Sequence, residues 1–174
     1  MIVSRSPAPE PPQTMSDPAE LLAAYLDFYR DAVLRKLEGL SPPQLRTSVL
    51  PSGWTPLELL KHLGHVERRW LCWGFAGEPV REPWGDDGPD GRWHVADGES
   101  AEEVTAFFLE QCRRSREIVA AARLSDVASG SGRFTPPAVR PTLGRILFHL
   151  LQEYARHAGQ LDVARELIDG SVGE

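Results

Sequence analysis

The sequence predicts an all-α fold, a four-helix bundle with a long loop between its second and third helices. Three observations predict it. Capping signatures open three segments: Asp17-Pro18-Ala19-Glu20, Thr55-Pro56-Leu57-Glu58 and Ser100-Ala101-Glu102-Glu103. Each supplies an acceptor for orphan N–H groups and an acidic residue for the first turn, with Pro at the first helical position in two of them. Apolar residues then recur at the spacing of one helix face. No segment shows the apolar–polar alternation of a half-buried strand. Four such helices without strands bury their apolar stripes most simply against one another.

The elements follow in order. Leu22, Tyr25, Leu26, Tyr29, Val33 and Leu37 mark a helix over residues 17–38, stopped by Gly39. Leu59, Leu60, Leu63, Val66 and Trp70 mark a second over 55–74, and Val104, Phe107, Phe108, Cys112, Ile118 and Val119 a third over 100–123. The fourth, over 142–169, starts after Pro141, carries Leu143, Ile146, Leu147, Leu150, Leu151, Tyr154, Leu161 and Leu167, and stops at Gly170. Residues 75–99 form a loop rich in Gly, Asp and Trp, and a loop of that length in a compact domain is usually functional. Trp84 and Trp93 give it the apolar area to fold over one end of the bundle. Residues 1–16, rich in Pro and Ser, read as a disordered lead-in, and 17–174 as one domain.

Composition narrows the function. The 174 residues are 41% hydrophobic and 25% charged, as in soluble globular proteins. A net charge of −6 gives no basic surface for nucleic acid. No apolar run approaches the roughly 20 residues of a membrane span. With no signal sequence and only two cysteines, Cys72 and Cys112, the expected location is cytoplasmic and the thiols are expected to be small buried hydrophobes. GxSxG, HExxH and glycine-rich phosphate loops are absent, and Asp86-Asp87 reads as part of a solvated loop.

Chemistry concentrates on the last helix. His149, Glu153 and His157 are spaced four apart. In a helix each step of four turns only about 40° and rises about 6 Å, so the three share one stripe, otherwise made of Leu and Tyr. A carboxylate on a bundle's apolar stripe is costly unless paired or bound to a metal. One alternative is a polar seam paired with Arg145 and Arg156. The other is a divalent metal site completed from the second helix by His62, or by His65 one turn away. Three protein ligands and an open position suit catalytic zinc, and two His with one carboxylate also suit iron or nickel. His94, in the loop, reads as exposed.

A capped GWTPLELLKHL helix and a last helix reading HLLQEYARHAGQLDVARELIDG together resemble the DinB-like putative metalloenzyme superfamily, and within it the actinobacterial mini-circle-protein subfamily. The likeness covers roughly residues 17 to 170. It implies a four-helix bundle, often a homodimer, with the metal held by His62, Glu153 and His157, and with His65 and His149 beside the site or in its wall. The His-Glu-His set is similar to that of mycothiol-dependent maleylpyruvate isomerases, which carry a further C-terminal domain. The resemblance therefore implies a metal-dependent thiol S-transferase acting on small electrophiles or thiol conjugates, with mycothiol as cosubstrate. A metal-dependent hydrolase and a non-catalytic metal-binding or dimerisation module stand beside it as alternatives.

Overall fold

The computed structural model describes residues 8–172, and among them it is all-helical, with no strand. Helix α1 spans Pro18–Leu37, α2 Pro42–Leu45, α3 Pro56–Glu67, α4 Ala101–Ala120 and α5 Leu143–Asp169. Residues 1–7 of the lead-in lie outside the described residues. Ala8 donates its N–H to the Asp31 carboxylate at 3.2 Å.

The helix starts lie where the capping chemistry puts them. Asp17 Oδ1 accepts from the N–H groups of Ala19 and Glu20 at 2.9 and 3.0 Å. Thr55 with Glu58, and Ser100 with Glu103, each exchange side-chain-to-backbone bonds in both directions. Gly170 closes α5 in the left-handed conformation at φ 77°. Such caps each contribute about 1 kcal/mol. They set boundaries, whereas burial of a whole Leu contributes about 1.5–3 kcal/mol and so dominates the assembly.

That burial joins α1 to α5 and α3 to α4, with α3 also meeting α5. Leu26, Val33 and Leu37 of α1, Leu57, Leu60 and Leu63 of α3, Val104 and Phe108 of α4, and Ile146, Leu150 and Tyr154 of α5 lie in the shared core. One ion pair is sealed inside it. Arg30 donates from Nε and Nη2 to the two oxygens of Glu67 at 2.8 and 3.0 Å, and the Tyr154 hydroxyl donates to Glu67 Oε1 at 2.7 Å.

Two features depart from the sequence-based expectation. The second helix is not α-helical to residue 74: after Glu67 it winds on as a π-helix, Arg68–Phe75. The wider winding shifts the phase of the side chains, and insertions of this kind are frequent at functional sites. Leu71 and Cys72 stay in the core, while Trp70 meets the ring of His149 on α5. The link after α1 also contains the short helix α2, and a 3-10 turn, Gly132–Phe134, precedes α5.

The long loop is tied into turns. His94 N–H donates to the Asp86 carbonyl at 2.8 Å and Gly88 N–H to the Arg92 carbonyl at 2.7 Å, with Asp87 and Trp93 bridged between them. A second tight approach occurs where Gly132 meets the π-helix. Its φ is +66°, and a Cβ there would run into the carbonyl oxygen of Trp73. Gly132→Ala should therefore cost at least about 1–3 kcal/mol, since backbone strain and a backbone clash act together. A urea midpoint unchanged from wild type would contradict that packing.

Candidate metal centre

Four elements build the site. α3 presents His62, α5 presents Glu153 and His157, the π-helix presents Arg69 and Trp70, and the long loop presents Asp86 and Trp93. One nitrogen from each of His62 and His157 and one oxygen of Glu153 all lie within 4.8 Å of one another. Glu153 Oε2 is 3.2 Å from His157 Nε2 and 3.8 Å from His62 Nε2. Bonds of about 2.0–2.1 Å would bring such atoms onto one divalent ion with small side-chain adjustments.

The outer nitrogens of both rings are engaged. His157 Nδ1 is 2.7 Å from Gln160 Oε1, and His62 Nδ1 is 2.9 Å from Asp86 Oδ2. Metal-binding histidines characteristically place an acceptor on the far ring nitrogen, which fixes the tautomer and ring orientation. The donor set therefore fits a divalent cation: two imidazoles with their outer edges held, and one carboxylate between the inner edges.

The aromatic rings shape the surroundings. Trp93 stacks on His62 with centroids 4.1 Å apart, and its edge lies against His157. His149 packs on Trp70 with centroids 4.2 Å apart, its Nε2 3.7 Å from Glu153 Oε1, in the wall of the site. Arg133 lies over the Trp70 ring at 4.2 Å.

His65, the alternative from the second helix, lies away from the cluster. Its ring packs on Phe107 of α4 with centroids 4.7 Å apart, and its Nδ1, 3.8 Å from Asp86 Oδ1, has no hydrogen-bond partner. Burial pushes its pKa down to about 4, so the ring is neutral at pH 7. His94 is exposed in the loop.

Charge in the cluster is strongly coupled. Burial works against protonation of His62, yet Asp86 and Glu153 outweigh it and raise its pKa. Hydrogen bonding to His157 and His62 holds Glu153 far below the usual carboxylate range. Burial alone would raise Asp86, but its bonds with His62 and Arg69 bring it down to about 2. Glu153 is thus held ionised between two imidazoles, and Asp86 between His62 and the Arg69 guanidinium.

Reading the sequence missed three members of this site. Asp86 is not solvated but wholly buried, because the Arg69 guanidinium neutralises it from the π-helix. No motif announces that pair, which is seventeen positions apart in sequence. Gln160 does carry a signal, standing three residues after His157 on the same helix face.

The sequence pattern of the mycothiol-S-transferase family matches residues 21–170 of the chain. No curated protein matches the sequence. The matched span includes α3, α4 and α5, all of α1 but its first three residues, and every residue of the cluster, and the chain belongs to the mycothiol-S-transferase family, a DinB-like family.

Proposed function

We propose that the protein is a metal-dependent S-transferase that joins mycothiol to small electrophiles, with His62, Glu153 and His157 holding the metal. The observation that carries this reading is the convergence of three ligand atoms from α3 and α5 with both outer ring nitrogens already engaged. Zinc is the metal we assign, by the nitrogen-rich donor set. A divalent cation held there stabilises thiolate over thiol, and thiolate is the nucleophilic form.

The chain's own residues prepare the rest. Gln160 and Asp86 keep the two imidazoles turned inward. Trp93 and Trp70 wall the cluster with apolar surface and limit water around it. Neither cysteine competes as nucleophile: both are buried, and burial pushes each thiol up to about 12. The sulfur must therefore come from a bound thiol. In the transfer its S–H proton passes to solvent water, its electron pair forms the new C–S bond, and the leaving group departs with the bonding pair.

The same proposal includes a four-helix bundle as the architecture, residues 17–174 as one domain, a homodimer in solution and a cytoplasmic location. Among the described residues no helix is long and apolar enough to cross a membrane. The decisive experiment titrates mycothiol and glutathione against metal-free and zinc-loaded protein, then follows conjugation of a generic electrophile. Zinc should strengthen mycothiol binding and raise the conjugation rate, with mycothiol preferred over glutathione. If zinc changes neither, the transferase reading fails. Turnover of esters or amides without any thiol would point to a hydrolase instead.

A further inference from the structure

His62 is held by the long loop on two sides. Asp86 bonds its Nδ1 edge at 2.9 Å, and Trp93 covers its face with centroids 4.1 Å apart. The two loop residues are linked to each other, since His94 N–H donates to the Asp86 carbonyl and Asp87 bridges to Trp93. Asp86 is itself clamped. Arg69 donates from Nη1 to Oδ1 and from Nη2 to Oδ2, the latter at 3.1 Å, and Nη1 also reaches the Pro83 carbonyl at 3.2 Å. The side chains of Arg69 and Asp86 are 5% and 1% exposed, so water does not compete for these bonds. The Arg69 guanidinium is covered in turn by the ring of Trp84, 4.5 Å away.

The chemistry of this chain of contacts is directional. A carboxylate gripped by a guanidinium accepts hydrogen bonds and donates none. Any bond between Asp86 and His62 therefore requires the proton on Nδ1. In the neutral ring the lone pair then resides on Nε2, the nitrogen facing Glu153 and His157. Without Asp86, the Nε2-protonated tautomer would become accessible, with its lone pair turned away from the cluster.

We propose that Asp86, clamped by Arg69, is the positioning residue that fixes His62 with Nδ1 as donor and Nε2 toward the metal, making the long loop a structural part of the metal centre. The inference rests on the metal-site reading above, and it adds a consequence for the loop. A loop that orients a ligand must itself be stabilised when the ion binds, because coupling between two equilibria is reciprocal. Zinc should therefore protect the loop amides around Asp86 and Trp93 from hydrogen exchange.

The test uses the full chain with zinc alone as the probe. In wild type, nitrogen-15 spectra of the histidine side chains at pH 8.5 should show zinc on His62 Nε2 and a slowly exchanging proton on Nδ1. Asp86→Asn should lose that protected proton and bind zinc about 10- to 100-fold more weakly in chelator competition, the range seen when such outer partners are removed. Zinc should slow amide exchange over residues 84–94 in wild type and much less in Asp86→Asn. Asp87→Asn, whose side chain is exposed and whose bridge to Trp93 is made by the backbone alone, should match wild type in all three measurements. Zinc ligated through His62 Nδ1 in wild type would overturn the proposal, and this holds even if Asp86→Asn fails to fold. So would zinc affinity in Asp86→Asn within about twofold of wild type. If wild type bound no zinc at His62 at all, the metal-site reading itself would fall, a result distinguishable from both.

Discussion

His157→Ala should abolish tight zinc binding and, with it, any zinc-dependent thiol conjugation. His157 is nearly buried, and its ring bridges Gln160 and Glu153 on a single helix face. Removing it takes away one of the three proposed protein ligands and one of the two held imidazoles. Residual affinity from His62 and Glu153 alone should be too weak to survive dialysis. Metal analysis of protein purified without a nickel column and reconstituted with zinc reads this directly. His94→Ala is the control, because that ring is exposed in the loop, and its metal content should equal wild type. Equal zinc in both variants would refute the ligand assignment. Near-ultraviolet circular dichroism should confirm that His157→Ala keeps its tertiary packing.

Glu67→Gln should produce the largest loss of stability among isosteric substitutions. Glu67 is wholly buried and accepts from Arg30 twice and from Tyr154 once. Replacing the carboxylate by an amide leaves the Arg30 guanidinium, 4% exposed, without its main counter-charge. Breaking a buried pair from one side typically costs about 3–5 kcal/mol. Arg30 keeps a bond to Asp27 at 2.7 Å, which places the expectation near the lower end of that range. Urea denaturation measures it. The triple variant Arg30→Met, Glu67→Leu, Tyr154→Phe should lie closer to wild type than Glu67→Gln, because it removes both buried charges and the hydroxyl that donates to Glu67 together. A loss under about 1 kcal/mol for Glu67→Gln would show that water reaches the pair.

Fold and candidate site rest on different residues. Glu67 and Tyr154 occupy the core beside the cluster, with Tyr154 adjacent in sequence to Glu153. Their network braces α1, α3 and α5 against one another but places no atom among the proposed ligands. His157 belongs to the proposed ligand set, and the role proposed for Asp86 is to aim one member of it. Stability loss without loss of zinc in Glu67→Gln, set against zinc loss without unfolding in His157→Ala, would distinguish these roles.

Local signals along the chain are enough for the helices and for half of the candidate site. Caps such as Thr55 with Glu58, and stripes such as Leu143, Ile146, Leu147 and Leu150, act over one or two turns, so their meaning is local. Glu153 and His157 were legible for the same reason, since four residues along a helix is a spatial distance as well as a sequence distance. Whatever depends on facing neighbours emerges only when the helices pack. His62 and His65 are one turn apart on the same helix, and only the packing of α3 between α4 and α5 turns one toward Phe107 and the other toward Glu153. Asp86 sits in a loop without periodicity, and its burial depends on Arg69, whose direction follows the π-helical winding after Glu67. The Arg30–Glu67–Tyr154 network joins positions 37 and 87 residues apart. Local propensity carries no information across such separations; burial makes those charges depend on one another, and burial exists only once the helices have met.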